Sequence, residues 1–147
     1  MRSAKIISFA YATLQGELGA VLQYQYHHWF ADCPEVATLF EEIALAEMMH
    51  VELLAKAMKQ LGLDPLYRQK PQEPNVWFNT GAIAYSKSTQ KMLLDNIAGE
   101  MTAIADYKKM IMVLKNENVA SLIERILMDE ELHLAKLSQA YAELCKE

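Results

Sequence analysis

The chain has 147 residues, the length of one domain able to bury a full core without disulfide or zinc staples. Its composition, 52% hydrophobic and 22% charged with only 5 Gly and 4 Pro, excludes a disordered or turn-rich chain and fits a packed helical one. A formal net charge of -5 with no Lys/Arg run longer than two residues excludes the electrostatic footprint of a nucleic-acid binder, and no stretch reaches the length of a membrane span.

Arg2 and Lys5 ahead of a short apolar run, with Ala10 and Ala12 beyond, imitate a cleavable leader. Ser8, Tyr11 and Thr13 interrupt that run, and apolar residues at three- and four-residue spacing from Ile6 to Leu22 instead predict a first amphipathic helix from about Ser3 to Phe30. His27 and His28 near its end suit the helix dipole and are expected at the surface. Asp32-Cys33-Pro34-Glu35 supplies a cap-type residue, a first-turn proline and an acid, which predicts a second helix reaching about Leu61, where Gly62 can end it. The 62–87 connection carries Pro65, Pro71 and Pro74 and cannot be one helix; Trp77 and Phe78 within it are candidates for a lid or a subunit contact. Helical periodicity returns at about Ser88, turns at Asn116-Glu117-Asn118 and runs on to about Cys145. The expected architecture is all-α, a single domain over 1–147 in which hairpins 3–61 and 88–146 are joined by a long crossover into a four-helix bundle of ferritin-like topology. Cys33 and Cys145 form no C-x-x-C, so no zinc ribbon or thioredoxin motif is available, and isolated thiols fit a reducing cytoplasm.

The two hairpins repeat each other. An offset of 83 positions places Glu17 on Glu100, Tyr24 on Tyr107, Glu47 on Glu130 and His50 on His133. The same offset superposes Gly16 on Gly99, Ala20 on Ala103, Ile43 on Ile126 and Leu54 on Leu137, the mark of a duplicated hairpin with a pseudo-twofold axis.

Seven residues advance a helix by about 700°, close to two whole turns, so Glu17 shares a face with Tyr24 and Glu100 with Tyr107. Glu47 and His50, three apart, also share a face, as do Glu130 and His133. Brought together, the inward faces hold four carboxylates and two imidazoles. Four carboxylates cannot stay ionised in a core without cations, and two divalent metals would cancel their charge. One Glu from each of two helices plus a Glu-x-x-His from each of the others is a di-iron or di-manganese ligand set, and mixed oxygen and imidazole donors suit those metals better than structural zinc. Glu41, Glu42, Glu52 and Glu131 are expected on solvated faces.

Through G16-E-L-G-A-V-L-Q-Y24, A46-E-M-M-H50 and M128-D-E-E-L-H133 the chain resembles the ferritin-like superfamily, and within it the bacterioferritins and rubrerythrins. The resemblance implies that Glu47 and Glu130 bridge two metals, that Glu17 and Glu100 are terminal ligands, that His50 and His133 bind one metal each, and that Tyr24 and Tyr107 support ligand carboxylates. The haem-ligating Met of bacterioferritins, directly after the second-helix glutamate, falls on Met48. Rubrerythrins usually add a carboxylate where Ala103 stands and a rubredoxin domain with two C-x-x-C pairs, neither of which is present, so a standard rubrerythrin peroxidase is not expected. The chain stops soon after the fourth helix, so a 24-subunit cage with its short fifth helix is not expected either. Ala20 and Ala103 are expected to leave space for an oxidant beside the metals. The function implied is that of a cytoplasmic di-iron protein oxidising Fe(II) with dioxygen or hydrogen peroxide, as a homodimer or larger homo-oligomer with no nucleic-acid or membrane partner. The alternatives are dimanganese catalase chemistry, or a metal-binding structural bundle without turnover.

Overall fold

The computed structural model describes residues 2–144, with side chains from residue 5; Cys145 and the end of the second hairpin's expected range lie outside it. Five helices occur in chain order: α1 (Arg2–Ala12), α2 (Glu17–Phe30), α3 (Pro34–Gln60), α4 (Thr89–Val113) and α5 (Glu117–Leu144). Helices α1 and α2 together form one column against α3, and α4 pairs with α5. The result is the expected four-column bundle, all-helical among the described residues.

The first column corrects the sequence reading, because the continuous helix expected over 3–30 is broken at 13–16. Gly16 is extended (φ -84, ψ 175) and its amide donates to Thr13 O at 3.0 Å. A Cβ on Gly16 would stand 2.8 Å from Ala10 O, so the chain folds back on α1 more tightly than any larger residue allows. The leader-like segment packs rather than hangs free: Ile7, Ala10, Tyr11 and Ala12 are buried in the core.

Other boundaries follow local chemistry. Cys33, not Asp32, precedes α3, with Pro34 in the first turn, where the missing proline N–H costs nothing; the Asp32 amide donates instead to Thr89 Oγ1 at 2.9 Å. Gly62 adopts φ 77 just past α3, the left-handed position that favours glycine. Ser88 caps α4 by accepting from Lys91 N, and Asn116 Oδ1 accepts from Val119 N at the start of α5.

The core divides into two apolar clusters. One joins Ile7 and Tyr11 of α1 to Leu54 and Met58 of α3, Met110 of α4 and Ile123 and Ile126 of α5. The other joins Tyr24 of α2 to Phe40 and Ile43 of α3, Met92 and Leu93 of α4, and Leu137 of α5. On α3, α4 and α5 alike, the glutamates and histidines of the repeat lie between the positions feeding the two clusters. The two apolar clusters therefore flank a layer of carboxylates and imidazoles across the bundle's waist. No helix among the described residues is long and apolar enough to cross a membrane.

Candidate metal centre

Glu17 opens α2, where the partial positive charge of a helix N-terminus favours a carboxylate; the break at 13–16 thus has a direct consequence for the site. Glu47 and His50 project from the middle of α3, Glu100 from α4, and Glu130 and His133 from α5. All six are buried. Among the described residues they form two groups, Glu17–Glu47–His50–Glu130 and Glu47–Glu100–Glu130–His133, in each of which the donor atoms lie within 4.8 Å of one another. Glu47 and Glu130 belong to both groups.

Both imidazoles face the layer through Nδ1. His50 Nδ1 lies 2.8 Å from Glu47 Oε2, 2.9 Å from Glu130 Oε1 and 3.8 Å from Glu17 Oε1. His133 Nδ1 lies 3.5 Å from Glu47, 3.6 Å from Glu100 and 3.8 Å from Glu130. The tyrosines tie the halves together crosswise: Tyr24 OH donates to Glu100 Oε1 at 2.6 Å, and Tyr107 OH donates to Glu17 Oε1. Met48 lies exposed on α3. Glu41, Glu42, Glu52 and Glu131 are exposed, as expected.

The donor set fits a pair of divalent cations on the structure's own terms. Glu100 Oε2 and His133 Nδ1 are buried without a hydrogen-bond partner, which is costly unless a ligand satisfies them. Burial, and then the charge of Glu17, push Glu47 well above the usual carboxylate range, and the same causes push Glu130 up to about 12. Burial disfavours the His50 cation, but the adjoining carboxylates of Glu130, Glu17 and Glu47 outweigh it and raise the imidazole above its ordinary value. Burial likewise opposes ionisation of Glu100, yet contacts with Glu130, His133 and Tyr24 bring its carboxyl below the ordinary value. Burial and the neighbouring carboxylates, Glu100 and Glu17 respectively, raise the phenols of Tyr24 and Tyr107, keeping both as donors. Without metal the layer is held together by protons, and metal entry must expel them.

Two features escaped the sequence reading. Asp129 Oδ2 lies 2.9 Å from His50 Nε2, the contact that fixes the orientation of a metal-binding imidazole; its repeat counterpart is Ala46, so His133 has no equivalent. His27 corrects the expectation of a surface histidine, for it is fully buried. Its Nε2 lies 2.7 Å from Ala84 O in the connection, and its Nδ1 lies 2.8 Å from Asn96 Nδ2. Gln23 completes the network, donating to Asn96 Oδ1 at 2.8 Å and accepting from Ala84 N at 2.9 Å. Burial, only partly offset by the Ala84 carbonyl, lowers the His27 pKa, so the ring is neutral and donates from Nε2.

Comparison with known proteins agrees with this geometry. Bacterioferritin from Desulfovibrio desulfuricans is 27% identical over 139 residues, covering 90% of this chain and 72% of the relative. Its crystal structure, described as containing a diiron site, superposes with a TM-score of 0.80 at 24% identity, over 99% of this chain and 81% of that one. A manganese catalase from Anabaena superposes at 0.86 with 21% identity, over 97% and 72% of the two chains. A dodecameric thioferritin, the bacterioferritin-related protein of Bacteroides fragilis, superposes at 0.81 with 20% identity, over 99% and 87%. These likenesses establish a ferritin-like bundle. The rubrerythrin family model matches residues 8–141, a span that contains all six buried donors, and the chain belongs to the rubrerythrin family of ferritin-like di-metal carboxylate proteins.

Proposed function

We propose that the protein is a di-iron oxidoreductase that oxidises Fe(II) with dioxygen or hydrogen peroxide, in iron handling or defence against oxidants. The observation that carries this reading is the sharing of Glu47 and Glu130 by two donor groups, since a carboxylate common to two sites holds two cations close enough to act on one oxidant. Glu17 with His50 would complete one site, and Glu100 with His133 the other. Bound iron would supply the electrons and the Lewis acidity. The chain's own part is to place oxygen and imidazole donors in a mostly dry layer, to neutralise the metal charge, and to steady Glu100 and Glu17 through Tyr24 and Tyr107. The exposed Leu45, Met48, Met49, Met128 and Leu132 support a homo-oligomer as the working state.

The test is to mix Fe(II)-loaded protein with dioxygen or peroxide and follow near-ultraviolet absorbance. Rapid ferric absorbance that greatly outpaces free Fe(II) is expected, and the faster oxidant names the substrate. Iron loading without accelerated oxidation would contradict the reading; peroxide decay on the Mn(II)-loaded protein would then assign catalase chemistry.

A further inference from the structure

A cavity of about 870 Å³ opens beside the carboxylate layer, with Glu17, Glu47, Glu100 and Glu130 at its floor. A water molecule's share of liquid volume is about 30 Å³, so dioxygen or peroxide would use a small fraction of this space. Its volume falls instead in the range of about 300 to 1,000 Å³ typical of organic-ligand sites.

The walls are built to stay open. Gly19 and Ala20 of α2 and Gly99 and Ala103 of α4 line the cavity, and a Cβ added to Gly99 would meet nothing within 4 Å. Phe9, Leu14 and Val113 form a lip that remains about half exposed. Phe78 and Ala82–Ala84 of the connection supply a roof, pinned by the hydrogen bonds of Ala84 to Gln23 and His27. Lys70, Lys109, Asp95 and Asp106 also line the cavity, but Lys70 is engaged by Glu73 and Asp95 by Lys91, and the four glutamates disfavour an anion. At the floor Glu100, buried and lining the cavity, keeps Oε2 without a partner. A concave, mostly apolar space converging on a few buried polar atoms is the form of a small-molecule site; a surface for another folded chain would be flatter and would not end on ionisable groups.

We infer that this cavity binds a neutral, largely apolar organic molecule whose polar end reaches the carboxylate layer. The inference goes beyond the iron-oxidising reading and does not depend on it.

The test uses Nile red, a neutral apolar dye, titrated into the full-length chain with and without Mn(II), with 1-decanol as competitor. One saturable site per chain is expected, displaced by 1-decanol and weakened at least tenfold by Gly99→Leu, with Mn(II) stoichiometry and melting temperature kept as controls of folding. Thr102→Trp, on the same wall, gives a second chance to fill the space should the first variant misfold. Absence of a saturable site, or binding unchanged in both folded variants, would overturn the inference. It would also fail if Gly99→Leu converted an oligomer to a monomer in sedimentation, since the groove would then be filled by a second copy. Failure of iron oxidation beside intact, Gly99-sensitive dye binding would count against the oxidase reading and for the cavity.

Discussion

His50 turns Nδ1 to the carboxylates and Nε2 to Asp129, whereas His133 has alanine at the matching place in its repeat, Ala46. An imidazole held by a carboxylate is a better-oriented and more basic ligand, so the two donor groups would offer a pair of metals inequivalent positions although their residues are duplicated. Asp129→Ala is expected to weaken one of the two metals by about 10- to 100-fold and leave the other nearly unchanged. A competition titration with a metal indicator reads this, and equal weakening of both metals would contradict it. The six buried donors were legible because they repeat at one offset: a single Glu-x-x-His says little, while two copies, each with its Glu-x6-Tyr, say a great deal. Asp129 was invisible to that reasoning because it does not repeat.

Among the elements, the four long segments and the proline-bearing connection could be read from periodicity and helix-stop chemistry, but the break between α1 and α2 could not. Gly16 and Gly99 occupy equivalent places in the repeat, yet one stands in a tight reversal and the other in the middle of a helix. What separates them is the approach of Ala10 O to Gly16, a contact no local pattern contains. Gly16→Ala is expected to destabilise the fold by about 1 to 3 kcal/mol through overpacking, measured by denaturant unfolding; no loss of stability would mean that the reversal is not tightly packed. The connection holds a second such feature, since the partner of His27 is Ala84, 57 residues on. Helix-end statistics placed this histidine at the surface because the buried acceptor lies in a segment without periodicity. Its lowered pKa sets a sign: below about pH 6.5 the unfolded chain takes up a proton that folded His27 resists, so stability falls as pH drops through that window. His27→Gln should have a melting temperature that changes less than the parent's between about pH 6.5 and 5, and parallel pH profiles would rule out this role.

For the whole molecule, apolar clusters at both ends and one charged layer between them divide the tasks of folding and chemistry. The clusters hold the helices in register, and the layer uses that register to bring six donors from four helices within reach of two cations. The cost is a core of carboxylates that must carry protons when metal is absent, with Glu47 and Glu130 both far above their ordinary range. The central claim is therefore one of stoichiometry, and an anaerobic Fe(II) titration of the metal-free chain and of its Glu47→Ala variant addresses it most directly. Two irons per parent chain, with neither retained tightly once the shared Glu47 is removed, is the result expected. One iron or none in the parent, or two in the variant, would contradict a dinuclear centre built on Glu47 and Glu130.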